Sequence, residues 1–150
     1  MVKMNDMMNA ILKDEKEPES SLQLDSILTE IVSKTKKIKN CIIYDKDETL
    51  EEEKINFDRI LRFVGDWTGY EVSCNELRFE RNSISQSQFG VLASRLGDML
   101  SQKCNGKQIV VYISLCDNEI ELRFHTYRED EGLWLDKDLN KYDMPILYWI

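Results

Sequence analysis

Carboxylates are the side chains of this chain best placed to do chemistry, and their chemistry is the capture of positive charge. Asp45, Asp47, Glu48, Glu51, Glu52 and Glu53 fall within nine residues and are offset only by Lys46. A second group, Glu129, Asp130, Glu131, Asp136 and Asp138, follows nearer the C-terminus. Over the whole chain 28 Asp and Glu stand against 20 Lys and Arg, a formal net charge of −8. Such a surface repels nucleic acid and anionic membrane and steers basic partners inward. Tyr127, Arg128 and Trp134 flank the second acidic group and are of the types that anchor protein interfaces. Together with the carboxylates they form the expected partner-binding set. Tyr112 and Arg123 either join them or cover the outer face of a sheet.

Conventional catalytic groups are sparse. His125 is the single histidine, the one side chain whose ordinary pKa suits a general base near pH 7. Glu121 and Arg123 share its strand face and Ser114 lies diagonally near it, but no G-x-S-x-G turn presents that serine as a nucleophile. Cys41, Cys74, Cys104 and Cys116 are widely spaced and form no C-x-x-C pair, so neither a structural zinc site nor a redox pair is expected. No phosphate-cradling glycine loop, H-E-x-x-H or EF-hand loop occurs. On these grounds we assign no catalytic residue, no cofactor and no metal ligand.

One segment competes with that reading. Cys41-Ile42-Ile43-Tyr44-Asp45-Lys46-Asp47-Glu48-Thr49-Leu50 resembles the first motif of the haloacid-dehalogenase-like phosphatases, an apolar strand followed by D-x-D-x-T. The resemblance implies Asp45 as nucleophile, Asp47 as general acid and a magnesium ion on the phosphate. Ile109 to Ser114, an apolar strand ending in serine, resembles the second motif. The order then departs from the family: Gly65-Asp66 with Glu71, the one match to its closing acidic motif, comes before the second motif instead of after it. The crowd of carboxylates would also repel a phosphate. A solvated acidic loop is the competing reading of the same residues.

The elements that must carry these groups follow from periodicity. Met4, Met7, Met8, Ile11 and Leu12 predict a short, weakly held N-terminal helix, and residues 13–21, with Pro18, a linker. Leu24, Ile27, Leu28, Ile31 and Val32 predict a second helix, with Lys34, Lys36, Lys37 and Lys39 offsetting its C-terminal dipole and Asn40 ending it. Cys41 to Tyr44 reads as a strand. Ile55 to Trp67 reads as a helix with Phe57, Ile60, Leu61, Val64 and Trp67 on its buried face and Gly69 as its stop. Tyr70, Val72 and Cys74 alternate, as do Leu77 and Phe79, but out of phase, so Asn75 should mark a bulge or turn between two strand segments. Ser85 and Gln88 suit a capping box before a helix that buries Phe89, Leu92, Ala93, Leu96, Met99 and Leu100 and stops at Asn105-Gly106.

Residues 108–115 and 119–127 both alternate around Asp117-Asn118, which predicts a two-residue hairpin pairing Leu115 with Ile120, Ile113 with Leu122 and Val111 with Phe124. The apolar ending Pro145-Ile146-Leu147-Tyr148-Trp149-Ile150 predicts a last strand held within the sheet, since left loose it would aggregate. The sum is an α+β fold with an antiparallel sheet of about four or five strands and about three helices packed on it. The 150 residues read as one domain, with residues 1–21 a weakly ordered helix and linker.

The segment Ile120-Glu121-Leu122-Arg123-Phe124-His125-Thr126-Tyr127-Arg128, continuing through Trp134 to Pro145-Ile146-Leu147-Tyr148, resembles the closing part of small bacterial immunity proteins paired with contact-dependent growth-inhibition and other polymorphic toxins. The resemblance implies a small, cytosolic, non-catalytic protein that binds a toxin domain, often a basic nuclease, and blocks it. No residue is carried over from it. The first nine residues hold one lysine and no apolar run of secretory-leader length, so the expected compartment is a reducing cytoplasm. A non-catalytic adaptor with another partner is the alternative, and the oligomeric state is left open.

Overall fold

The computed structural model describes residues 1–14 and 22–150. In chain order the elements are β1 (Val2–Met4), α1 (Asp6–Lys13), α2 (Leu22–Lys34), β2 (Thr35–Ile38), β3 (Cys41–Tyr44), α3 (Phe57–Val64), α4 (Trp67–Cys74), β4 (Glu76–Glu80), α5 (Phe89–Lys103), β5 (Ile109–Cys116), β6 (Glu119–Thr126) and β7 (Ile146–Trp149), with 3-10 turns at Glu52–Lys54, Gln86–Gln88 and Leu139–Lys141. The fold is α+β. Five antiparallel strands run in the order β1-β7-β5-β6-β4, and β2 and β3 form a separate hairpin. Five α-helices are present where about three were expected. Of the expected linker, residues 13–21, Lys13 belongs to α1 and Asp14 caps it, and residues 15–21 lie outside the described residues.

The long hairpin sets the frame. Ile109↔Thr126 through Cys116↔Glu119 pair in the anticipated register, with Asp117 taking the positive φ of the turn (53°). Alternation on both arms leaves Val111, Ile113, Leu115, Ile120, Leu122 and Phe124 on one face, buried against Phe89, Leu92, Leu96 and Leu100 of α5 and Leu28 and Ile31 of α2. The apolar C-terminus does enter the sheet, between β5 and β1, and is no edge. Its Trp149 ring lies on α5 at Gly97, where a Cβ would sit 1.9 Å from Trp149 Cζ3, so only glycine admits it. The opposite sheet face is not an outer surface either. Val110, Tyr112, Ile146 and Tyr148 are buried under Leu139, with Tyr127, Leu133, Leu135, Tyr142 and Met144 packed around them.

Four local expectations change. Met4 belongs to β1, and Asn5 starts α1 by accepting from the Met8 amide at 3.0 Å, so the N-terminal helix is shorter than the methionine spacing suggested. The helix α2 ends at Lys34, and Lys36, Lys37 and Lys39 lie on the β2–β3 hairpin, where Lys39 has φ 52° and Lys39–Asn40 make the turn. Ile55 to Trp67 is not one helix. Gly65 (φ 94°) closes α3 by donating to the Leu61 carbonyl, and Asp66 opens α4 by accepting from the Gly69 amide at 2.6 Å. Tyr70, Val72 and Cys74 are therefore helical, and Asn75 is the helix-to-strand junction instead of a bulge. Ser85 heads the 3-10 turn Gln86–Gln88 and not α5, whose N-cap is Gln88, and its hydroxyl lies 3.0 Å from that of Ser87.

Candidate functional site

Members of both acidic groups lie near the place where the small hairpin meets the main sheet. Neither sheet hydrogen-bonds the other directly there. Two side chains one turn apart on α4 do it instead. Glu71 is fully buried (0% exposed) and accepts from the Ile42 amide of β3 at 2.7 Å and from the Thr126 amide of β6 at 2.6 Å. Asn75 accepts from the Tyr44 amide at 2.7 Å and donates to the carbonyls of Ile42 at 2.8 Å and Phe124 at 3.1 Å. Strand β4 leaves β6 uncovered beyond Arg123, so these side chains satisfy backbone groups that a further strand would have paired. Arg128 closes the network with a double contact to Glu71, at 3.1 and 3.2 Å, and donates to the Asn40 carbonyl at 2.7 Å. Sequence reasoning missed Glu71 and Asn75 because it placed them in strands. Their i, i+4 spacing on a helix is the signal that would have found them.

Arg128 thereby anchors the second acidic group. The Gly132 amide returns to the Arg128 carbonyl at 2.7 Å, and the tight turn between them leaves Glu129 and Asp130 in solvent. Glu131 turns back onto α4, accepting from the amides of Trp67 at 3.1 Å and Thr68 at 2.7 Å. Burial would push its carboxyl up, but the bonds from Thr68 and Trp67 prevail and hold it below the usual carboxylate range. A polar cleft of about 490 Å³ opens here between Asn40, Trp67, Lys107, Tyr127, Asp130 and Glu131. Trp134 is not part of it. That indole stacks under the Arg123 guanidinium at 5.2 Å and lines a separate, more apolar cleft of about 270 Å³ with Tyr112, Cys116 and Met144. Asp136 and Asp138 are engaged locally. Asp136 holds Lys141 at 2.7 Å and accepts from the Asp138 amide, and Asp138 accepts from the Asn140 amide.

The first acidic run divides in the same way. Asp45 is buried and accepts from the amides of Thr49 at 3.1 Å and Leu50 at 3.0 Å and from the Lys36 ammonium. Lys36, helped by the two amides, holds the Asp45 carboxyl below its usual range. The loop wrapped around it exposes Asp47 and Glu48, the latter at φ 55°. Glu51 pairs with Lys54, and Glu52 and Glu53 are exposed. Glu53 and Lys39 border one cleft while the adjacent Asn40 borders the cleft of Asp130, so one member of each acidic group flanks the β2–β3 turn, whereas Asp47 and Glu48 lie past the open end of that hairpin.

The groups considered for catalysis are dispersed. Both Asp45 oxygens are occupied by protein donors, and Ser114 sits in the other sheet from Asp45. His125 is completely buried, and burial pushes its imidazole down to about 4. Its Nδ1 lies 2.8 Å from the Thr126 carbonyl, which can only accept, so Nδ1 carries the proton and Nε2 accepts from the Tyr112 hydroxyl at 3.3 Å. The Tyr112 oxygen accepts in turn from the Trp134 amide at 3.1 Å. The four cysteines are free thiols, and burial pushes that of Cys41 up to about 12. Among the described residues no three His, Cys, Asp or Glu side chains converge as a metal site requires, and no helix is long and apolar enough to cross a membrane.

Residues 3–149 match the model of the Uncharacterized protein PM0498 family, and the chain belongs to that family. No curated protein and no solved structure matches it.

Proposed function

We propose that this family member acts by protein–protein contact, as a non-catalytic immunity protein that binds and neutralises a basic toxin domain. One observation carries the reading. Asp47 and Glu48 past the open end of the β2–β3 hairpin, Glu52 and Glu53 ahead of α3, and Glu129 and Asp130 toward the β2–β3 turn are exposed and make no side-chain hydrogen bond or ion pair among the described residues. The fold does not use them, and a field of that sign favours cationic partners and quickens their arrival. Trp67 and Tyr127, partly exposed beside Asp130, supply aromatic area in the same cleft. The Asp45 carboxylate, the best-specified nucleophile, is instead engaged in holding its loop, which favours contact over hydrolysis.

The test is co-expression with the C-terminal domain encoded by the gene upstream. A stable complex that restores growth supports the reading. Glu129→Gln with Asp130→Asn should then lower the association rate several-fold at low salt and hardly at all at high salt, because exposed charges act over roughly 10 Å before screening at 0.1 M. An unchanged rate at both ionic strengths removes this face from the interface. Growth left unprotected by a soluble wild-type chain sinks the toxin pairing.

A further inference from the structure

The helix α3 carries an apolar face that the fold leaves uncovered. Phe57 anchors the helix, buried against Trp67 at 5.6 Å between ring centroids, and is the only residue of α3 that is buried. Beyond it Ile60, Leu61, Phe63 and Val64 adjoin one another at i, i+3 and i, i+4 spacings. Phe63 is 78% exposed, Val64 42% and Leu61 36%. Single exposed apolar residues are ordinary on a protein surface, but three adjoining ones beside half-buried Ile60 on two helical turns are not. The sequence reading placed Leu61 and Val64 in the core. The early stop at Gly65 leaves them outside it.

We infer that the Ile60–Leu61–Phe63–Val64 face of α3 is the apolar centre of a docking surface for a basic protein. The inference rests on the reading of a cationic partner given above and names where that partner seats. Charge selects the occupant. Between Asp45 and Asp66 the chain has eight carboxylates and four cations, and exposed Glu52 and Glu53 lie just ahead of α3. An apolar patch on a helix preceded by exposed Glu52 and Glu53, in an acid-rich stretch, fits a partner that offers apolar side chains accompanied by Lys and Arg. The Phe63 ring already receives one cation, the Arg59 guanidinium at 5.5 Å, and an aromatic face attracts cations in general. A second copy of the chain fits less well. It would oppose two bodies of net charge −8.

A photoreactive benzoylphenylalanine placed at position 63 of the full chain, expressed in the source cells and irradiated, tests this directly. The Phe63 ring is largely outside the fold, so folding should survive the exchange, and an unchanged urea midpoint will verify it. The expected product is one adduct, identified by mass spectrometry as a protein of basic isoelectric point. It should be absent when the same group stands at exposed Gln23 on α2, and its yield should fall roughly tenfold when Val64→Glu is added, as for a contact near an interface centre. No adduct, an adduct only with the chain itself, an acidic captured protein, or equal yields from positions 63 and 23 would each overturn the inference. If the captured basic protein does not inhibit growth, α3 remains the docking face while the immunity reading fails.

Discussion

Acidification should unfold this protein through one residue, and the size of the effect can be worked out. His125 is the only histidine, so it is the one side chain type of the chain whose ordinary pKa lies between pH 7 and pH 5. In the folded protein burial holds it neutral, with its imidazole near 4 instead of 6.5. The folded pKa is the lower one, so the unfolded chain binds the proton first. Stability is therefore fully present above pH 6.5 and declines as the pH falls toward 4. That separation corresponds to at most about 3 kcal/mol, of which about 2 kcal/mol should vanish between pH 7 and pH 5. Carboxylates held low, such as those of Glu131 and Asp45, lose their contribution only at more acidic pH and stay outside this window. Urea unfolding at intervals across the window, followed by tryptophan fluorescence, measures the slope. In His125→Gln, less stable at pH 7 for want of the stacked ring, the slope should be nearly flat. A wild-type stability unchanged from pH 7 to pH 5, or the same slope in the variant, would refute the neutral buried imidazole.

Two further outcomes test the scaffold beneath the site. Glu71→Gln leaves the Arg128 guanidinium without its charge partner between β3 and β6, so urea unfolding should show a loss of about 3–5 kcal/mol; a loss under 1 kcal/mol would mean that the two sheets are joined by something else. Gly97→Ala inserts a methyl into the Trp149 ring, and the resulting overpacking of about 1–3 kcal/mol should exceed the roughly 1 kcal/mol that alanine gains over glycine in a helix. A thermal midpoint above wild type would show that the C-terminal strand yields freely.

The elements legible in the sequence are those whose polarity pattern coincides with solvent exposure. Both arms of β5–β6 alternate and one face of α5 is apolar, so register and buried stripe follow from period alone. Reading fails between Ile55 and Asn75, where polarity and exposure part company. Glu71 looks solvent-facing in a strand pattern, yet it is wholly buried, because its partners are an arginine 57 residues away and two strand amides. Such long-range satisfaction leaves no local trace. The Gly65-Asp66 pair did leave one, a stop followed by a start, and Gly69 was read as the stop in its place. The basic stretch from Lys34 to Lys39 was ambiguous for another reason: lysines suit a helix end and an exposed hairpin equally.

The acidic composition was plain at once, but composition alone does not separate carboxylates that build from those that face outward. Asp136, Asp138 and Asp45 accept from amides two to five residues ahead, and Glu131 caps a distant helix. These are turn and cap roles that any fold would recruit, and the Asp136-x-Asp138-x-Asn140 repeat is a local signature of them. Their charge says nothing about a partner. Asp47, Glu48, Glu52, Glu53, Glu129 and Asp130 form no such bonds and crowd like charge onto the surface of a chain already at −8. Mutual repulsion makes that crowding slightly unfavourable for the folded state, and no cap, turn or ion pair offsets it. A feature that the fold neither needs nor benefits from is better explained by what meets the surface than by what lies beneath it. The uncovered face of α3, which follows Glu52 and Glu53 in the chain, extends that reasoning from charge to shape.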